Sequence, residues 1–427
     1  MLFKIVYLAG IFFRNRLIFD CYRELMQTDK MSLADLKSLQ NERLRDLVAH
    51  AVAHSEYYRS LFESCEIEAD DVQSVDDLRS LKSTTKLDLL ANNERIQNHI
   101  SGEKEYLSET SGSSGFPLIF RRNQRWDAMH NATVIRGYSW HGIKPWERNG
   151  YLWGYNISGF AALKTRFLDL LQNRFRLFSY NEEEMHGFCK KLRKAQYIGG
   201  YSSMIHELSK YVSGRPEFVD TINLKMVKGT SEKIFEAYQE NVNAAFGQRM
   251  ISEYGAAEAG IIAFECPQGS MHVNIETCVV EVVDNEILVT NLFSHSFPII
   301  RYALGDYIEM GEAGTCSCGR KGPIIETVTG RVGSSIQGAQ NDYPSLVLYY
   351  IFKNLAMNHS IELNYQAVQD RPGHLEFRLE KDLTPFELSA FSDEFSKYFS
   401  TDMIYTISGN ERLVSGKGKT KDFVSLL

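Results

Sequence analysis

Thr110-Ser111-Gly112-Ser113-Ser114-Gly115-Phe116-Pro117 places four hydroxyls and two glycines within eight residues. Glycine lets a backbone approach a ligand closely and take positive φ. Successive N–H groups in such a loop form a concave anion site, and the hydroxyls bring donors that swing onto phosphate oxygens. No Gly-Lys-Ser ending follows, so the stretch is not the common P-loop. A Ser/Gly linker or a tight turn has the same composition, and the choice falls to the rest of the chain. On either side, Tyr106–Leu107 and Leu118–Phe120 read as short strands, a hairpin with the loop at its mouth.

The chain has 427 residues, enough for two or three domains, with 44% apolar and 24% charged residues, an ordinary globular balance. A net charge of −7 offers no basic excess to meet phosphates, which argues against a nucleic-acid partner. Seven cysteines, an odd number over a long chain, do not form a disulfide framework, and a reducing cytoplasm is the simplest compartment. Residues 1–19 carry an apolar run (Leu2, Phe3, Ile5, Val6, Leu8, Ile11, Phe12, Phe13) interrupted or flanked by Lys4, Arg14 and Arg16. It is too short to span a bilayer and lacks a small-residue cleavage site. That leaves a docked amphipathic helix, or peripheral contact with a membrane face.

Helical spacing predicts one helix over 32–62, opening at Ser32 with Asp35. Short helical pieces follow at Val75–Leu81 and Thr85–Ala91, and a longer helix at 125–140. From Gly150 to Ser252, strand patterns (150–155, 197–200, 224–228, 249–252) alternate with helices (182–195, 204–212, and one reaching Phe246), which indicates an α/β layout. After Gly260, short β-branched runs at 279–283, 287–290 and 298–302 predict an attached antiparallel β sub-domain. From about Val332, helices at 345–356 and 385–399 with strands at 361–368, 374–379 and 404–408 predict a small α+β domain. The expected boundaries are 1–31 for the N-terminal amphipathic segment, 32–331 for the large domain and 332–427 for the small one.

Four more stretches carry chemistry. Glu253-Tyr254-Gly255-Ala256-Ala257-Glu258 follows a strand, where α/β sheets place ligand groups. Tyr254 would stack on a flat base and Glu258 would hold Mg²⁺; a core aromatic and a solvated charge are the bland readings. Asp306 follows Gly305 at the end of a strand and would accept ribose hydroxyls, or is a turn Asp. Thr329-Gly330-Arg331-Val332-Gly333 sits at the domain boundary, and Ser415-Gly416-Lys417-Gly418-Lys419 near the C-terminus. In this order these stretches resemble the adenylate-forming superfamily of acyl-CoA synthetases, within it the phenylacetate–CoA ligase branch and the CapK-type proteins of capsular-polysaccharide gene clusters. The likeness runs from about Ser32 to Lys417 and includes Gly199-Gly200-Tyr201-Ser202-Ser203 and Thr230-Ser231-Glu232.

That resemblance implies an AMP-forming carboxylate ligase with a large N-terminal and a small C-terminal domain. Thr110, Ser111, Gly112, Ser113, Ser114 and Gly115 would hold the ATP phosphates, Tyr254 and Gly255 the adenine, Glu258 magnesium and Asp306 the ribose. Arg331 would mark the hinge and contact the nucleotide. Lys417 would reach the carboxylate and α-phosphate, with Lys419 and Lys421 as competitors. The acyl group would pass to coenzyme A or another acceptor; transfer onto a surface polysaccharide, and a nucleotide-binding homologue without turnover, are the alternatives. Leu118, Ala257, Gly333 and Ser334 depart from the family pattern. Trp153, Tyr155 and Phe160 would line an acyl pocket or sit in the core, and a homodimer stays open.

A second constellation is Cys266, His272 and the pair Cys316/Cys318. Three cysteines and a histidine are a common tetrahedral zinc set, although the spacing is not that of a standard finger. Members of the phenylacetate-ligase branch hold zinc with comparable residues; reduced thiols and an unrelated histidine are the other reading.

Overall fold

The computed structural model describes residues 1–427 other than 111–117, 153–158, 178–181, 232–233, 235, 285, 332–334, 362, 364, 380 and 412–422, and describes only the backbone at 159–162, 203, 236–237, 329–331, 335, 344, 346, 349, 353 and 357. It divides into two compact units, Met1–Thr110 with Leu118–Gly330, and Arg331–Leu427.

In the first unit six helices come first: α1 (Leu2–Asn15), α2 (Leu17–Thr28), α3 (Leu33–His54), α4 (Glu56–Ser64), α5 (Lys86–Ala91) and α6 (Asn93–Ile96). The single helix expected over 32–62 is broken at Ser55. That residue is extended (φ −110°, ψ 118°) and its hydroxyl accepts the Tyr58 N–H, capping α4. Serine competes with helical backbone bonding and so favours a cap over a helix interior. The expected hairpin forms as β1 (Tyr106–Glu109) and β2 (Ile119–Arg122), antiparallel with Glu109 opposite Ile119. α7 (Gln124–Trp140) follows.

One eleven-stranded sheet organises the rest of this unit. β3 (Asn149–Leu152), β4 (Arg174–Arg176), β5 (Tyr197–Tyr201), β6 (Met226–Thr230) and β7 (Met250–Ala256) run parallel in the order β4-β3-β5-β6-β7. Their crossovers are α8 (Gly159–Leu171), α9 (Glu182–Leu192), α10 (Ser202–Ser213) with α11 (Pro216–Val219), and α12 (Glu236–Phe246). Period-two alternation sorts the two faces. Ile198, Val227 and Met250 pack under α9–α12, while Tyr197, Met226 and Ile251 meet Tyr138 and Trp140 of α7. Helix and sheet approach closely at Gly137, where a Cβ would lie 2.5 Å from the Phe264 ring.

The antiparallel strands are not a detached sheet but continue the same one. β8 (Gly260–Glu265) pairs with β7 and is followed by β9 (Met271–Val273), β13 (Ile324–Arg331), β12 (Tyr302–Gly311), β11 (Glu286–Asn291) and β10 (Cys278–Val283). Residues 298–301, expected as a strand, are irregular. Arg301 takes φ +48°, its N–H bonds the Thr290 hydroxyl and its guanidinium pairs with buried Glu281, so the strand starts only at Tyr302.

The second unit holds β14 (Ser335–Gln337), β15 (Asp342–Pro344), α13 (Leu346–His359), β16 (Tyr365–Arg371), β17 (His374–Leu379), α14 (Pro385–Phe399), β18 (Ile404–Ser408) and β19 (Phe423–Ser425). Its four-stranded sheet runs β18-β17-β16-β19 and packs Phe377 against Phe391, Phe395 and Phe399 of α14. α14 opens on a capping box between Thr384 and Glu387. β19, which pairs parallel with β16, was not expected from its three residues.

Candidate functional site

The hairpin β7–β8 sets the first group. Its register shifts between Tyr254 and Gly255, and a Cβ at Gly255 would lie 2.3 Å from the Gly260 carbonyl oxygen. Glycine is therefore needed here for close backbone approach, before any ligand is considered. The turn that follows buries Glu258, which is 6% exposed. Tyr302 Oη lies 3.5 Å from its Oε1, and Asn291 Nδ2 donates to its carbonyl at 3.3 Å. Among the described residues no Lys, Arg or His pairs with this carboxylate, so the solvated-charge reading fails. A buried carboxylate without a counter-ion is costly unless a cation reaches it, and the group therefore fits a divalent metal.

Tyr254 Oη donates to Asp306 Oδ2 at 2.8 Å. In the sheet order three strands separate β7 from β12, so this contact requires the antiparallel half to curl back on itself. Ala263, Val273, Val289, Ile308 and Ile325 fill the inside of the curl. Asp306 lies within β12, not at a strand end as expected. Gly305 beside it takes φ +82°, and the β11–β12 register shifts nearby.

Thr110 closes the base of the serine–glycine loop. Its N–H bonds the Leu118 carbonyl, its hydroxyl accepts the Leu118 N–H at 2.9 Å, and Lys86 Nζ lies 3.3 Å from that hydroxyl. Two residues before Lys86, Thr84 bridges to Tyr302. The described base of the loop, in its own two-stranded sheet, is thus linked through Lys86 and Thr84 to the start of β12, the strand that carries Asp306. Leu118 is fully buried in the N-terminal core, which explains why the position takes an apolar side chain. Ser111, Gly112, Ser113, Ser114, Gly115 and Lys417 lie outside the described residues, as do Lys419, Lys421, Gly333, Ser334, Trp153 and Tyr155. The side chains of Arg331, at the end of β13, and of Phe160 do as well.

Sequence reading missed a buried pair behind β7. Lys228 Nζ lies 2.7 Å from Glu253 Oε1, both nearly closed to solvent, and Glu253 Oε2 has no hydrogen-bond partner among the described residues. The His130 ring stands nearby with an unpartnered Nδ1. Burial first, then Arg122, Arg14 and Lys228, pull its pKa down to about 3. A lysine on the inward register of an apolar strand was the available signal.

The second group is complete among the described residues. Cys266 follows β8, His272 sits in β9, and Cys316 and Cys318 lie in the β12–β13 connection. Their ligand atoms all lie within 4.8 Å of one another. Cys266 and Cys316 Sγ are 3.7 Å apart, too far for a disulfide, and Cys318 Sγ is 3.1 Å from His272 Nε2. Zinc–sulfur bonds of about 2.3 Å at tetrahedral angles put two sulfurs roughly 3.8 Å apart, so the residues fit that ion. Two glycine turns shape the cradle: Gly269 N–H bonds the Cys266 carbonyl, and Gly319 N–H the Cys316 carbonyl, both with positive φ. Burial, with Arg320 and Arg136, lowers His272 to about 4, which keeps the imidazole neutral as a ligand must be. Burial raises the Cys266 thiol to about 11, so a metal there would displace its proton.

A cavity of about 330 Å³ opens beside Cys266, lined by Trp140, Lys225, Arg249 and Glu265. It lies at the start of β6 and β7, the opposite end of these strands from Glu258. No helix among the described residues is long and apolar enough to cross a membrane.

No family model matches the chain. In sequence it is 21% identical over 414 residues to Protein CapK of Staphylococcus aureus, spanning 86% of this chain and 90% of that one. It is 23% identical over 379 residues to phenylacetate–coenzyme A ligase of Escherichia coli (strain K12), spanning 81% and 82%. In fold it is similar to 2-hydroxyisobutyryl-CoA ligase in complex with 2-HIB-AMP and CoA, with a TM-score of 0.63 at 16% identity over 93% of this chain and 91% of that one. Along four-fifths of its length the chain is thus similar in sequence to CapK and to phenylacetate–coenzyme A ligase, and it shares the fold of 2-hydroxyisobutyryl-CoA ligase.

Proposed function

We propose that the chain uses ATP to activate a carboxylic acid as an acyl-adenylate, releasing pyrophosphate, and transfers the acyl group to coenzyme A. The observation that carries this reading is Glu258, a buried carboxylate without a basic partner among the described residues, at the end of the strand that bears Tyr254 and its bond to Asp306. Attack of a carboxylate on the α-phosphorus brings negative charges together, and catalysis rests on fixed donors and cations that offset them. Glu258 would hold the magnesium that supplies positive charge to the phosphates. Asp306 would take the ribose hydroxyls, and the tyrosine ring would pack against adenine. The loop after Thr110 would give N–H and hydroxyl donors to the phosphates. Lys417, with Arg331 at the hinge, would complete the adenylation geometry from the small domain. Cys266, His272, Cys316 and Cys318 would hold zinc in a closed, structural site.

The long match to CapK favours a second reading, in which the acceptor is a sugar of a surface polysaccharide; this is analogy from a relative's name. The test is pyrophosphate exchange into ATP over a panel of aryl, fatty and amino acids, followed by coenzyme A and sugar acceptors with the acid that responds. Exchange that depends on one acid class and vanishes in Lys417→Ala supports the reading. ATP binding with no exchange for any acid overturns it in favour of a homologue without turnover.

A further inference from the structure

α1 turns an unusual side outward. Leu2, Ile5, Phe12 and Phe13 are exposed, the last by 82%, and with Ala9 they follow helical spacing along one face. That face is not free to roll inward. Asn15 is buried and donates to the Gln124 carbonyl at 2.8 Å, Arg14 pairs with Asp127 at 2.8 Å, and Tyr7 meets Trp146. The opposite side of the helix is thereby fastened to the body of the unit.

α8 lies beside α1 and does the same. Leu163 is 64% exposed, Phe167 59% and Leu170 62%. Among the described residues the two helices present nine large apolar side chains to solvent, more than the single scattered exposures normal for a protein surface. Their charge is one-sided. The only carboxylate on either helix, Asp169, is buried and paired with Arg176. Lys4, Arg16, Lys164 and Arg166 are exposed, on a chain whose net charge is −7. A second copy docking by twofold symmetry would set this patch against itself, cation against cation. A surface that is apolar within and anionic at its rim matches it, which is the character of a bilayer with acidic headgroups.

We propose that α1 and α8 together dock on an anionic lipid surface, with the leucine and phenylalanine side chains at the acyl boundary and Arg16 and Lys164 among the headgroups. Sequence pointed to the first 19 residues alone; α8, some 150 residues later, is the structure's addition.

The test is co-sedimentation of the full chain with phosphatidylcholine vesicles, with and without phosphatidylglycerol. The expected result is binding that needs phosphatidylglycerol and weakens with salt. Phe12→Ser with Phe13→Ser, and separately Leu163→Ser with Phe167→Ser, each lower the partition constant by roughly tenfold or more, with unchanged melting. Arg16→Glu with Lys164→Glu removes the preference for phosphatidylglycerol. No binding to either vesicle, or binding indifferent to the α8 pair, overturns the proposal. So does a dimer seen by sedimentation velocity that the same serine variants dissolve, since the face then belongs to a second copy.

Discussion

The cysteine–histidine cluster and the Glu258 group sit on one sheet but are built in opposite ways. The cluster gathers four ligand atoms within 4.8 Å, from two glycine turns and one strand. The Glu258 group keeps a buried carboxylate with no basic partner among the described residues, a tyrosine–aspartate bond across a curled sheet, and the base of a loop from far earlier in the chain. A metal would finish the first arrangement; substrate would finish the second. The difference predicts that damage to the first costs stability and damage to the second costs rate.

The largest effect is expected at the cluster. Cys318→Ser takes zinc from one equivalent to none in purified protein. It lowers unfolding free energy by at least about 3 kcal/mol, a fraction of what structural zinc contributes where it organises a whole small fold. Whatever protein remains folded keeps acid-dependent exchange within a few-fold. Metal analysis beside chemical denaturation reads both. Intact stability with abolished exchange would turn the cluster into part of the active site and break the comparison.

Glu258→Gln should do the reverse. Loss of the metal-holding charge lowers exchange by roughly 10²–10³-fold, the usual scale for removing one electrostatic contact from a reacting centre. The same change replaces an uncompensated buried charge with a neutral amide, so the melting temperature stays level or rises. A variant that melts lower and reacts normally would return Glu258 to a structural role.

The two sites also differ in how far the sequence disclosed them. Cys266, His272, Cys316 and Cys318 were legible as candidate ligands because residue chemistry singles them out before geometry does, and the structure brings them together. Tyr254, Glu258 and Asp306 were legible only together and in order, since each alone reads as core, surface or turn. What stayed hidden was set by tertiary contact. Ser55 ends a helix whose periodicity ran on, and Arg301 delays a strand by turning to Glu281. Gly255, read as a ligand glycine, is required by the Gly260 carbonyl. That the antiparallel strands extend the parallel sheet is likewise invisible in strand patterns, which carry no neighbour order.

A smaller effect separates the sites by pH. The His130 Nδ1 is closed off near Gly260, at the Glu258 end, and the ring's pKa falls from 6.5 to about 3. The unfolded chain therefore takes up a proton that the folded one refuses between those values. Its stabilisation is full above pH 6.5 and is lost as pH falls toward 3, by up to about 1.4 kcal/mol per pH unit. Urea unfolding of wild type and His130→Gln at pH 7 and pH 5 should show a shallower loss in the variant. Identical slopes would mean that the ring finds a proton acceptor on folding.

The smallest change asks whether the Glu258 group is as loosely held as the comparison requires. Tyr254→Phe keeps the ring for adenine and removes only the hydroxyl that holds Asp306. A hydrogen bond to a carboxylate contributes about 1.5 kcal/mol, so KM for ATP should rise roughly tenfold while kcat moves little, because ribose contacts are alike in ground and transition states. Tyr254→Ala, which also loses the stacking surface, should raise KM further. Equal KM values in Phe and wild type would show that Asp306 keeps its place without the tyrosine and that the curl of the sheet alone aligns it. A kcat loss as large as that of Glu258→Gln would instead place the hydroxyl among the groups that meet the reacting phosphate. That outcome would erase the distinction between a group that positions substrate and one that reacts with it.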